Sequence, residues 1–314
     1  MAKTAKAQKK SEKTLLLPIR WLKTACCSLV LLTLPAAPLW ADTPTSAQPP
    51  DSEIFVAAGV FHPEIEGPAV DAQGYVYAVN FGGNNTAAKG SIGKITPKGD
   101  ARHFLQLPKG SVGNGIRLDQ QGRFYIADYT GHNIWRYNGK SLSLYLHQPL
   151  MFQPNDLAIT EQGVLFASDP DWKNNSGQIW RIEQASSSTL LEKNMGTTNG
   201  IEVSPDQRFL YVNESRQRKV WRYQLDKKLN VSNKSLLIQF PDHGLDGMRC
   251  DGQGNLYIAR YGKGTIVKIS PEGKLLREYQ LHGQFPTNVT FSNDFKTLYI
   301  TMQKDGAVER LKLQ

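Results

Sequence analysis

Asn114-Gly115-Ile116-Arg117-Leu118-Asp119, then the turn Gln121-Gly122, then the apolar run 124–127, then Asn133-Ile134-Trp135-Arg136-Tyr137: this stretch of the 314-residue chain decides the fold, because it recurs. Its opening returns as Glu66-Gly67-Pro68-Ala69-Val70-Asp71, Asn155-Asp156-Leu157-Ala158-Ile159-Thr160 and Asn199-Gly200-Ile201-Glu202-Val203-Ser204. It returns again as Asp246-Gly247-Met248-Arg249-Cys250-Asp251 and Asn288-Val289-Thr290-Phe291-Ser292-Asn293. Each opening leads through a short turn such as Gln73-Gly74, Gln162-Gly163, Pro205-Asp206 or Gln253-Gly254 into an aromatic-rich apolar strand. A third strand then follows at 91–95, 133–137, 178–182, 219–223, 265–269 and 307–311.

From Glu66 onward the openings lie 48, 41, 44, 47 and 42 residues apart, room for four short antiparallel strands with their turns. A period of that length, repeated six times, predicts an all-β, six-bladed β-propeller. No stretch sustains a 3.6-residue apolar period, so almost no helix is expected. The sixth repeat reaches Gln314 with only three strands' worth of chain, while Glu53-Ile54-Phe55-Val56-Ala57 precedes the first. That segment is expected to complete the last blade and close the ring, which removes exposed sheet edges.

The first 41 residues read differently. Lys3, Lys6, Lys9, Lys10, Lys13, Arg20 and Lys23 precede an apolar run, 25–40, interrupted by Pro35 and Pro38. The run is short for a membrane span, which needs about 20 apolar residues, and fits a signal peptide cut near Ala41. An uncleaved anchor is the alternative; a lipoprotein site at Cys26 is disfavoured by Lys23. Residues 42–51 then form a flexible linker and 52–314 the propeller domain. We therefore expect an exported protein, periplasmic or secreted, monomeric and free of the membrane once cut.

With the leader go seven of the 37 basic residues and one of the 28 acidic ones, so 30 face 27 and the net charge falls from +9 to about +3. The basic balance belongs mostly to the leader and gives no support to a nucleic-acid partner. Cys26 and Cys27 leave too, so Cys250 has no internal disulfide partner, and stability must come from the core.

In a propeller the innermost strand of every blade runs along the central channel, so equivalent positions form one ring about the axis. Here that ring reads Glu66, Asn114, Asn155, Asn199, Asp246, Asn288. Asn or Asp before Gly is by itself an ordinary turn former that tolerates positive φ. Six in register, two of them carboxylates, argue instead for a cation held among convergent oxygens. An all-oxygen set without His or Cys suits a hard ion, Ca²⁺ before Mg²⁺ or Mn²⁺, and argues against zinc.

With these residues in view, the chain resembles the senescence marker protein, gluconolactonase and regucalcin superfamily across nearly all of 52–314. The most specific pieces are Glu66-Gly67-Pro68, Pro154-Asn155-Asp156, Thr198-Asn199-Gly200 and Asp246-Gly247-Met248, in the family's order. The resemblance implies a metal-dependent lactonase with one divalent cation, usually calcium, on Glu66, Asn155, Asn199 and Asp246. It makes Asp246 the catalytic base or nucleophile and leaves Asn114 and Asn288 as substrate contacts. Sugar-lactone members carry an arginine where this chain has Gln153-Pro154, so Gln153 becomes a substrate contact of different chemistry and the resemblance gives a polyhydroxylated acid less support. Asp169-Pro170-Asp171 resembles the lactonase branch.

Other signals weigh less. Residues 169–175 lack the glycine and terminal Glu of a calcium-binding helix-loop-helix, and no serine elbow, zinc helix or phosphate loop occurs. His243 and His62 lie close enough to the ring to assist proton transfer, His243 being the better placed for substrate, although surface packing accounts for either. Cys250 is expected to pack in the core, and the pairs Trp135-Arg136, Trp180-Arg181 and Trp221-Arg222 to pack blades together. Two further functions fit the same architecture: hydrolysis of phosphotriesters or aryl esters, and a non-catalytic sensor or binding propeller.

Overall fold

The computed structural model describes residues 49–83, 89–184 and 187–313. The expected signal peptide lies outside the described residues, as does most of the linker. Every described regular element is a strand, and the 24 strands form six four-stranded antiparallel sheets. Blade 1 runs Ala69–Val70, Val76–Val79, Ser91–Ile95, Ala101–Gln106 from axis to rim, and blades 2 to 5 follow the same order.

The innermost strands of blades 2 to 6 are Gly113–Leu118, Leu157–Ile159, Thr198–Val203, Met248–Cys250 and Pro286–Phe291. In blade 6 the fourth place is taken by Ser52–Val56, which pairs antiparallel with Ala307–Lys312 through Ser52 opposite Leu311 and Val56 opposite Val308. The first described strand therefore closes the ring, as its sequence position requires.

Burial follows distance from the axis. Second strands such as Phe124–Asp128 and Leu256–Arg260 are buried at every residue, whereas the rim strand Val231–Gln239 is mostly exposed. A blade packs both faces against neighbours near the axis, so its inner strands read as unbroken apolar runs. Among the described residues the core is six apolar clusters, one at each blade-to-blade interface. One joins Phe55, Tyr299 and Val308 of blade 6 to Val76, Ala78 and Ile95 of blade 1. Cys250 packs against the cluster between blades 4 and 5, where burial pushes its thiol up.

The last residue of each six-residue opening in blades 1 to 5, and Ser292 one place earlier in blade 6, builds the turn at the far end of the channel. Asp71 Oδ1 accepts from the backbone N–H groups of Gln73 and Tyr75, both at 2.9 Å, and Asp119 and Asp251 repeat the arrangement. Thr160, Ser204 and Ser292 do so with hydroxyls, as short polar side chains do in tight turns. The tryptophan-arginine pairs pack blades: Arg181 donates to Lys228 O and Leu229 O, and Arg222 to Pro271 O, each on the next blade.

Candidate active site

The ring residues sit where the innermost strands begin and pairing is irregular. Register shifts fall between Gly113 and Ile116, Thr198 and Ile201, and Pro286 and Asn288. Such bulges re-aim side chains. None of the six ring residues has a positive φ, so the Asn-Gly and Asp-Gly pairs are not turns. Their glycines answer to crowding at the axis. A Cβ on Gly67 would meet Asn114 O at 2.0 Å, on Gly115 Asn155 O at 2.8 Å, on Gly200 Asp246 O at 2.6 Å, and on Gly247 the Asn288 side chain at 1.9 Å. Each glycine admits the neighbouring blade at the axis.

A cavity of about 710 Å³ opens over this ring. Glu66, Asn114, Asn155, Asn199 and Asp246 line it, with Tyr129, Trp172 and Tyr261 as aromatic walls. The Oδ1 atoms of Asn114, Asn155, Asn199 and Asp246 are buried with no hydrogen-bond donor among the described residues. Leaving one buried acceptor unpaired costs about 1–3 kcal/mol; four at one place amount to a site that wants a positive partner. Glu66 Oε2 accepts from Gly67 N at 2.7 Å. Among the described residues no group of three or more His, Cys, Asp or Glu gathers, so any cation here would rely on carboxamides beside two carboxylates. That donor chemistry suits a hard ion.

Electrostatics sharpen the point. Burial pushes the Glu66 carboxyl up, as does the charge of Asp156, while the Gly67 N–H and Asn288 oppose the rise. Asp246 is pushed well above the carboxylate range by burial and then by the adjacent Glu66. Two carboxyls that cannot both ionise comfortably are a site poised for either a shared proton or a cation. Asn213 on blade 4 holds Asp246 from behind, donating to its carbonyl at 2.5 Å.

Beneath the ring a different tier fills the channel, made by Arg117, Glu202 and Arg249, each three residues beyond a ring residue, and by Asp156, which directly follows Asn155. Arg117 Nη1 meets Asp156 Oδ1 at 3.0 Å and Arg249 Nη1 meets Asp156 Oδ2 at 3.1 Å, while Glu202 lies 3.5 and 3.7 Å from the two guanidiniums. Asp156 is completely buried, and the two arginines hold its carboxyl below the usual range against the cost of burial. This quartet is a floor beneath the ring.

Of the residues singled out in the sequence, the structure brings Glu66, Asn114, Asn155, Asn199, Asp246 and His243 to the cavity. Asn288 and Gln153 are not among its lining residues: in blade 6 the ring place expected of Asn288 is taken by Thr287, whose O accepts from Gly247 N as Asn155 O accepts from Gly115 N. Asn288 is buried beside Glu66, its Oδ1 accepting from Val289 N; Gln153 has its backbone N–H on Asp169 Oδ1 at 2.6 Å. Asp169 takes up Phe152 N and Gln178 as well, so it anchors the segment before Asn155. The sequence reading missed Tyr129, Trp172, Arg216, Arg218 and Tyr261, which all come from turns between second and third strands. Their signal was available: Tyr129 and Tyr261 each directly follow a second strand.

A family model described as SMP-30/Gluconolactonase/LRE-like region matches residues 66–304. A 6-deoxy-6-sulfogluconolactonase of Pseudomonas putida is 26% identical over 227 residues, 69% of this chain and 77% of that one. Among solved structures, a gluconolactonase of Xanthomonas campestris superposes with a TM-score of 0.70 at 19% identity, over 83% of this chain and 89% of that one. A calcium-binding regucalcin of Agrobacterium tumefaciens gives 0.69 at 20% identity, over 82% and 95%. At such identities the superpositions speak to the fold, whereas the family match spans most of the propeller, ring positions included: the chain belongs to the SMP-30/Gluconolactonase/LRE-like family.

Proposed function

We propose that the protein is a metal-dependent hydrolase that opens lactones at the axial ring, and that it works outside the cytoplasm. The observation that carries this reading is the set of four buried oxygens, on Asn114, Asn155, Asn199 and Asp246, facing the cavity without donors. That a lactonase stands among its relatives supports a lactone as the substrate class. The residues that would hold the ion are Glu66, Asn155, Asn199 and Asp246. A bound hard cation, Ca²⁺ for preference, would supply Lewis-acid stabilisation of the developing oxyanion.

The chain's own groups do the rest. Asp246 accepts a proton from water as the water oxygen bonds to the lactone carbonyl carbon; the ring C–O bond then breaks and the departing oxygen takes that proton back, giving the hydroxy acid. Tyr129, Trp172 and Tyr261 wall the site, and Asn114 is placed to contact the substrate. His243, exposed at the mouth with Asp242 3.6 Å from its Nδ1, can carry protons to solvent. Mature protein is expected to open lactones from a chemically varied panel and to lose this activity to a chelator, with calcium restoring it. Turnover indifferent to chelation would sink the metal assignment; no turnover of any lactone, with a phosphotriester or aryl ester cleaved instead, would move the reaction class. Export is tested separately by the N-terminus of the protein isolated from its native host, expected near residue 42.

A further inference from the structure

Three acidic side chains, Glu64, Glu66 and Asp246, and three basic ones, Lys89, Arg216 and Arg218, line the cavity, but they do not all pair with one another. Glu64 and Lys89 form an ion pair at 2.8 Å and neutralise each other. Glu66 and Asp246 belong to the ring. That leaves Arg216 and Arg218, both lining the cavity from the blade 4 turn between Phe209–Glu214 and Lys219–Leu225, with no carboxylate partner among the described residues.

Neither guanidinium is idle by accident of a floppy surface. Arg216 is held over the Trp172 ring at 5.5 Å and donates to Trp172 O at 3.1 Å and to Asn175 Oδ1. All of these acceptors are neutral, so its charge is positioned without being compensated. Arg218 adopts φ 59°, in the left-handed region, as His132 (φ 55°) and Asn175 (φ 54°) do at the same place in blades 2 and 3, where blades 5 and 6 have Gly264 and Gly306. A left-handed backbone favours glycine, and a long side chain stands there instead. Its Nε is buried without an acceptor. A strained backbone, a buried unpaired N–H and an unmatched charge thus coincide on one residue facing the cavity.

We propose that the substrate carries an anionic substituent, a carboxylate, sulfonate or phosphate away from the reacting carbonyl, and that Arg218 with Arg216 receives it. The inference rests on the hydrolase reading for its substrate class. Arginine suits the task because its planar fork binds such oxyanions through paired, charge-assisted hydrogen bonds. Arg218 and Arg216 then set specificity; they take no part in bond breaking.

The test compares kcat/KM for D-glucono-1,5-lactone with its counterparts bearing a sulfonate or a phosphate in place of the 6-hydroxyl. The anionic compounds are expected to be favoured about tenfold or more, as a charge-assisted pair allows, and the preference to shrink with salt. Arg218→Gly, which suits the left-handed backbone, and Arg216→Gln should each lower the anionic-to-neutral ratio about tenfold. A ratio that stays put in both variants, or a wild-type preference for the neutral lactone, overturns the proposal and leaves the hydrolase reading standing. If no lactone is opened, calorimetric binding of 6-phosphogluconate decides: binding lost in the variants upholds the anion site without the reaction, and no binding to wild type overturns both.

Discussion

Two tiers of buried polar groups occupy the propeller axis, and they are built on opposite principles. In the lower one, Arg117 and Arg249 face Asp156 and Glu202, so the charges balance within the chain. In the upper one, two carboxylates and three carboxamides face one another, and four of their oxygens find no donor. The same inner strands supply both tiers, and burial is equally severe in each. The difference teaches where to look for function: a polar cluster whose charges cancel, even with Arg249 Nη2 left unpaired, holds the fold, and one whose gathered acceptors face a cavity without donors is waiting for a ligand.

The comparison breaks most sharply at the ring. Asp246→Asn, and separately Glu66→Gln, should lower lactone turnover at least about a thousandfold, roughly 4 kcal/mol of barrier. Neither should destabilise the metal-free protein, because each removes a carboxyl that burial pushes up, Asp246 being raised further by Glu66; melting midpoints in chelator should hold or rise. Activity retained in both variants would refute the catalytic assignment. Asp156→Ala is the mirror case. It strands two arginines beneath the site and should cost about 3–5 kcal/mol of stability, read as a lower denaturation midpoint whether or not cation is present.

A weaker effect concerns pH. The ring carboxyls bind protons more tightly in the folded, metal-free chain than in the unfolded one. The contribution of these two carboxyls to stability in chelator should therefore be greatest below the ordinary carboxylate range and fall as pH rises through the raised values, by at most about 1.4 kcal/mol per pH unit for each extra proton held. Saturating calcium should abolish the decline. Denaturant titrations between pH 4 and pH 8, with and without the ion, give the slope directly, and a decline that calcium leaves intact would assign the pH effect elsewhere.

The fold was legible because six repeats in register leave few alternatives, and even the closing strand followed from counting strands at the two ends. Five of the ring positions were legible for the same reason, the sixth being misread by one residue because the opening of blade 6 has no Asn-Gly or Asp-Gly pair to set the register, and choosing Glu66, Asn155, Asn199 and Asp246 needed a family resemblance. The lower tier was not read, yet Arg117, Glu202 and Arg249 stand at the fourth position of their openings, where blades 1, 3 and 6 have Ala69, Ala158 and Phe291. Its fourth member, Asp156, sits where the other blades nearest it have glycine, and only three-dimensional crowding explains why: a Cβ on Gly115 would lie 2.6 Å from Asp156 Oδ1. The cavity walls escaped because turns between second and third strands vary from blade to blade, and no periodicity reveals which side chains of a turn face inward.

The smallest expected effect separates strain that serves the site from strain that does not. Phe295, in the far-end turn of blade 6, has φ 57° where blades 1, 2, 3 and 5 use Gly74, Gly122, Gly163 and Gly254. It is largely exposed and touches the Phe291 ring at 5.3 Å between centroids. Arg218 carries nearly the same φ at the cavity. Replacing either by glycine relieves the left-handed backbone and should stabilise the chain by about 0.5–1 kcal/mol, less what the side chain contributes by packing and what the unfolded state gains in freedom. Thermal melts of Phe295→Gly and Arg218→Gly should move together, upward or by nearly nothing. Only Arg218→Gly should change the ratio of anionic to neutral lactone turnover; equal kinetic effects from both would mean that relieved strain, and not a lost charge, is what the cavity feels.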